Sequence, residues 1–272
     1  MSGNRLPCTI SVQPWFKDHY VGQTIVFPAV ETMLFLAAEC VAAHPETDIR
    51  IMEDVRFGRF LEIPPAAATV AVLVECAATD GRIQAKLLSR MQFKAMARSK
   101  EHGEIFFSSQ GKTDDPPLPN IDPLPPADPI AEVDTAHLYR ELVPFGPCYH
   151  TLQESLFLTE IEAWGKLKAP DFPCIYPVQD IIGSPFPLDG ALHAACVLGR
   201  QSVQFVPFPV GFSRRTVSRP TLPGGSYLTR VILTARTRDE LVFDLIIFND
   251  DGLVYETVTG LRMRDVSRAM KK

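Results

Sequence analysis

Two short stretches of this 272-residue chain concentrate side chains able to move protons. The first, PWFKDHYVGQTIVFP, places His19 ahead of Gly22 in a turn and Pro28 at the start of a helix. An imidazole titrates near neutrality, and the first amides of a helix lack intrahelical partners. The stretch therefore offers a general base beside N–H groups, around Val26 to Val30, that can polarise a carbonyl oxygen. The second, GSPFPLDGALHAACV, sets Asp189 and His193 four apart on one helical face, beside Leu188, Ala191, Leu192 and Ala195. A pair of titratable side chains of different type is what general acid–base chemistry requires. Taken alone, each stretch has an ordinary explanation, a turn histidine in one case and a carboxylate favoured by the helix dipole in the other. The Asp-x-x-x-His spacing would also suit a metal, but it supplies two ligands without a third.

The elements that must hold these residues follow from periodicity. CTISVQ has strand character, and PAVETMLFLAAECVA has apolar residues at helical spacing, with Pro28 at the first helical position and Glu31 in the first turn. Four strands follow, IRIMEDVRFGRFLEI, TVAVLVECA, GRIQAKLLSRMQF and GEIFFSSQG, separated by Pro, Gly or Asp turns. The pattern then returns: strands LQESLFLTE and AWGKLKA, helix FPLDGALHAACVLGRQ, and four strands from SVQFVPFPVGFSRRTV to GLVYETVTGLRMR. Pro28 to Pro64 and Pro187 to Pro223 both span 36 residues, so one helix-on-sheet unit occurs twice. The expected class is α+β, a double hotdog in which each half lays a helix across a curved antiparallel sheet.

Seven prolines in DDPPLPNIDPLPPADP mark the boundary, since proline removes backbone donors and favours extended geometry. The expected organisation is an N-terminal hotdog over 1–113, a linker over 114–130 and a C-terminal hotdog over 131–272. A formal net charge of -5 gives no electrostatic footprint for nucleic acid. The six cysteines form no CxxC pair, which argues against a zinc or redox motif. No apolar run is long enough for a signal peptide or a membrane span, so a cytoplasmic protein without a membrane partner is expected.

In combination, the motifs resemble those of the polyketide synthase dehydratase family. DHYVGQTIVFP is similar to the family's HxxxGxxxxP motif, with His19 and Pro28 at matching positions. Asp189 to His193 is similar to DxxxQ/H, and FGPCYH, containing Gly146, Pro147 and Tyr149, is similar to YGPxF. The resemblance spans nearly the whole chain. It implies a 3-hydroxyacyl-[acyl carrier protein] dehydratase of polyketide or fatty-acid assembly, with a tunnel between the halves. His19 would take the α-proton and Asp189 would protonate the departing hydroxyl. His193 would orient Asp189 or bind the leaving water. Gly22, Pro28, Gly146, Pro147 and Tyr149 would support them. It implies no cofactor and no metal, a substrate carried on the phosphopantetheine arm of an acyl carrier protein, and a possible homodimer. From its ends the chain is expected to stand alone rather than as an excised domain.

Three positions depart from the pattern. Gln23 stands where glycine is usual, with Gly22 one place early, while Phe145 and Tyr149 exchange the usual Tyr and Phe. These departures leave room for a non-catalytic acyl-chain binder. A product-template-like cyclase or an isomerase could use the same His and Asp pair.

Overall fold

The structure is a computed structural model that describes residues 5–93, 96–108 and 120–266. The first half opens with strand β1 (Arg5–Ser11), a 3-10 turn over Pro14–Asp18 and a small hairpin of β2 (Tyr20–Val21) and β3 (Thr24–Ile25). Helix α1 (Ala29–Ala43) follows, then β4 (Asp48–Phe57), β5 (Thr69–Thr79), β6 (Arg82–Phe93) and β7 (Met96–Ser108). The second half contains β8 (Ala131–Asp134), a short helical segment beginning with α2 (Thr135–His137), β9 (Leu152–Leu158) and β10 (Glu162–Lys168). The short α3 (Gln179–Ile182) leads into α4 (Phe186–Arg200), and β11 (Pro207–Val217), β12 (Ser226–Arg236), β13 (Glu240–Phe248) and β14 (Val254–Asp265) close the chain.

Twelve strands form one sheet in the order β1-β5-β6-β7-β4-β11-β14-β13-β12-β10-β9-β8. The order shows the duplication directly. Reading outward from the central pair, β4 matches β11, β7 matches β14, β6 matches β13, β5 matches β12, and the strands before the helices, β1 and β10, match each other. The halves are two copies of one topology joined by antiparallel pairing of β4 with β11, from Gly211 opposite Arg56 to Thr216 opposite Ile51. The expected double hotdog is what the chain forms.

Each long helix packs against the strands of its own half, α1 on β4 to β7 and α4 on β9 to β13. Val30, Met33, Leu34, Leu36, Ala37 and Cys40 of α1 are buried, and α4 is buried from Phe186 to Gly199. Both helices contribute to one hydrophobic core that runs across the junction. Arg215 and Glu256 pair inside it at 2.7 Å, both side chains almost wholly buried, and tie β11 to β14 beside the central strands. The guanidinium matches the carboxylate through two nitrogens, which satisfies charges that burial would otherwise make costly.

The proline-rich segment is described from residue 120 on; residues 114–119 of the expected linker lie outside the described residues. Its described part is not a free spacer. Ile121 donates its N–H to Gly252 O at 2.8 Å and packs with a small cluster that includes Trp164, Leu228 and Phe248. Ile130 donates to Leu158 O at 2.8 Å. The segment therefore lies against the second half, its prolines at places where no ladder donor is needed.

Candidate active site

The chain enters the site through the 3-10 turn Pro14–Asp18, which ends at His19. The β2–β3 hairpin then returns the backbone so that His19 and Val26 face each other. Val26 N–H donates to His19 O at 3.0 Å, and His19 Nδ1 lies 3.0 Å from Val26 O. A carbonyl only accepts, so Nδ1 carries the proton and Nε2 of the neutral ring keeps its lone pair free. The re-registered turn is compatible with this arrangement. Gly22 adopts φ +63°, a left-handed value that side chains resist, while Gln23 keeps a negative φ. These are the signs of a type II′ turn with glycine first, and Tyr20 pairs with Ile25 as a two-residue hairpin requires.

The second group comes from α4. Asp189 is in its first turn and His193 one turn later, both 4% exposed. His193 Nε2 lies 3.1 Å from Asp189 Oδ2, at an angle that leaves neither atom in a formed hydrogen bond. Both polar atoms are therefore held close and remain able to bond a third group. On its other side His193 Nδ1 meets the Tyr139 hydroxyl at 3.4 Å, and that hydroxyl accepts the Leu152 N–H at 2.8 Å. Tyr139 is a site residue that the motifs did not indicate. Its one local signal is an aromatic hydroxyl in an otherwise ordinary amphipathic segment.

The third motif joins the other two. Gly146 caps a 3-10 turn, Pro147–Tyr149, with Pro147 at its start. Phe145 stacks on His19 with ring centres 4.5 Å apart and reaches His193 at 5.2 Å. Tyr149 meets His19 edge-on at 5.1 Å, and its hydroxyl is buried. Exchange of Phe and Tyr thus moves the phenol from position 145 to position 149 without removing it from the neighbourhood. Burial leads the causes that raise the Tyr149 phenol well above its usual range, followed by the charges of Glu31 and Asp189.

His19, Asp189, His193 and Tyr149 therefore converge, although 170 positions separate the first two. Burial lowers the His19 pKa from its ordinary 6.5, opposed in part by the nearby Asp189 carboxylate. Pro28 serves as the N-cap of α1 rather than its first residue. Of the amides considered for polarising a carbonyl, Val26 and Phe27 are already spent, donating to His19 O and to Leu61 O at 2.8 Å. Those of Ala29 and Val30, in the first turn, retain their donors by position in the helix.

A fold of two hotdog halves sharing one His and Asp site is the class of protein this arrangement defines. A family model described as the polyketide synthase dehydratase N-terminal domain matches residues 122–272, more than half of the chain, and the chain belongs to that family. No curated protein matches it. Among solved structures, the dehydratase domain of a mycocerosic acid synthase-like polyketide synthase aligns over 99% of this chain and 97% of its own, at 16% identity and TM-score 0.74. A trans-AT polyketide synthase dehydratase domain from Brevibacillus brevis aligns over 97% and 94%, at 14% identity and TM-score 0.71. A monomeric dehydratase domain from a trans-AT split module aligns over 96% and 98%, at 15% identity and TM-score 0.71. Among the described residues no helix is long and apolar enough to cross a membrane.

Proposed function

We propose that this chain dehydrates a 3-hydroxyacyl thioester, with His19 as base and Asp189 as acid. The observation that carries the reading is the commitment of His19 Nδ1 to Val26 O, which frees Nε2 to accept a proton beside the Phe145 ring that also touches His193. Nε2 removes the α-proton, and the C–H electrons form the Cα=Cβ bond. The C–O bond breaks as Asp189 protonates the leaving oxygen, releasing water, and the proton on His19 returns to Asp189 before the next cycle. His193, contacted by the Tyr139 hydroxyl, is a positioning residue set beside the carboxyl. First-turn amides of α1 polarise the thioester carbonyl and so acidify the α-carbon. The reaction is redox-neutral, so the proposed steps call on no redox cofactor. An acyl carrier protein presents the acyl chain on its phosphopantetheine arm, in the cytoplasm, as part of polyketide or fatty-acid assembly.

The test is turnover of a 3-hydroxyacyl-pantetheine thioester, followed by the ultraviolet absorbance of the enoyl product. His19→Ala and Asp189→Asn should each lower kcat by about 10²-fold or more. Wild-type rates in both variants would overturn the assignment.

A further inference from the structure

The first turn of α1 carries a carboxyl group that this mechanism does not use. A first-turn acid is rewarded by the helix dipole at the surface, where it stays hydrated. Glu31 is instead 1% exposed. Its Oε1 accepts the Trp15 indole N–H at 3.3 Å, while its Oε2 is buried and has no hydrogen-bond partner among the described residues. The Tyr149 hydroxyl is buried and unpartnered in the same way.

A chain of ring contacts links the residue that holds Glu31 to the side chains around His19, and Glu31 is the foremost charge acting on the Tyr149 phenol. Trp15, which holds Glu31, stacks on Phe172 at 4.7 Å; Phe172 meets Phe186 at 5.4 Å, and Phe186 meets Tyr149 at 5.5 Å, next to His19. One turn along α1, Phe35 meets Tyr176 at 6.1 Å. Glu31 thus faces the second half, on the same side as Asp189, whose charge it feels. Burial pushes the Glu31 carboxyl up to about 8 against the opposing Trp15 hydrogen bond, so at neutral pH it is mainly a neutral O–H donor.

Two buried donors without a partner among the described residues carry a cost, and two donors suit one acceptor oxygen better than they suit hydrocarbon. During elimination the α-carbon and the β-oxygen engage His19 and Asp189, and the thioester carbonyl engages the first-turn amides of α1, so an oxygen held by the Glu31 side chain belongs to a more distal carbon. We propose that Glu31 and Tyr149 form a polar subsite that recognises a hydroxyl or keto oxygen on the acyl chain beyond the two reacting carbons. The enzyme would thereby select oxygenated chains over plain alkyl chains. This rests on the dehydratase reading and deepens it.

The experiment compares kcat/KM for 3,5-dihydroxyhexanoyl-pantetheine and 3-hydroxyhexanoyl-pantetheine in wild type, Glu31→Leu and Glu31→Gln. We expect wild type to prefer the dihydroxy chain by about tenfold or more, Glu31→Leu to fall to near parity, and Glu31→Gln, which keeps an N–H donor, to retain most of the preference. A purely structural role would lower both rates together and leave the ratio unchanged. Parity in wild type, or an unchanged ratio in Glu31→Leu, overturns the subsite and leaves the dehydratase reading intact. No turnover of either thioester counts against the dehydratase reading. In that case the subsite is decided by calorimetric Kd values for 5-hydroxyhexanoyl- and hexanoyl-pantetheine, which lack the 3-hydroxyl and cannot eliminate. Equal Kd values overturn it.

Discussion

Gly146 and Asp18 fasten the third motif to the first. Gly146 N–H donates to Asp18 O at 2.7 Å, and the Asp18 carboxylate accepts the Cys148 N–H at 2.9 Å. A Cβ at position 146 would collide with the Asp18 side chain, so glycine is required there by close approach. Asp18 immediately precedes His19, and Phe145 and Tyr149 flank Gly146 on either side. The contact therefore sets the aromatic rings against the imidazole.

Gly146→Ala should separate these elements. The expected cost is about 1–3 kcal/mol of stability from overpacking, together with a fall in kcat of at least about tenfold because the reacting groups lose register. Gly22→Ala is the matched control: open space surrounds a Cβ there, so the cost is limited to a left-handed φ of +63°, about 1–2 kcal/mol. Denaturant unfolding and turnover of both variants check the contrast. Comparable loss of activity in the two would remove the Asp18 contact as the reason for Gly146.

Tyr139→Phe removes an acceptor from Leu152 N–H and a hydroxyl from His193 Nδ1 in one step. The orphaned amide should cost about 1–3 kcal/mol. If Tyr139 orients His193, kcat should fall about tenfold while KM changes little, since substrate contacts are preserved. A variant that loses stability but keeps kcat would make Tyr139 a structural residue only.

Much of this was legible in the chain because it is local. The β-branched runs and the helical spacing of Met33, Leu34, Ala37 and Cys40 mark strands and helix, and the equal proline spacings announce the duplication. His19, Asp189 and His193 stand out by residue type and interval. What escaped depends on contacts remote in sequence. The Asp18 bond to Cys148 spans 130 positions, and Tyr139 reaches His193 across 54. The β2–β3 strands are two residues each, too short for any period to show. Glu31 reads as a dipole-favoured acid in its own helix, and only the packing of Trp15 and the second half reveals that it is buried.

His19 supplies a sign test. Burial between Phe145 and Tyr149 lowers its pKa below 6.5, and the Asp189 carboxylate raises it. Phe145→Ala, by admitting water, should move the value up towards 6.5, and the acidic limb of kcat/KM should move up with it. Asp189→Asn should move it further down, read by proton NMR of the imidazole. Shifts of the opposite sign in either variant would contradict the assigned environment.

Glu31 makes folding stability depend on pH in a direction opposite to that of most carboxylates. Its folded pKa, about 8, lies above its ordinary value of 4.5, so between those limits the native state binds more protons than the unfolded chain. Stability from this group is therefore complete below about pH 4.5 and is lost as pH rises through 8. Glu31→Gln carries no such linkage. The melting temperature of the variant relative to wild type should rise steadily from pH 5 to pH 8, by several degrees in total. Thermal unfolding of both proteins in a series of buffers checks this. A difference that does not change with pH would show that Glu31 is ionised in the folded protein, and with it the donor role assigned to its carboxyl would fall.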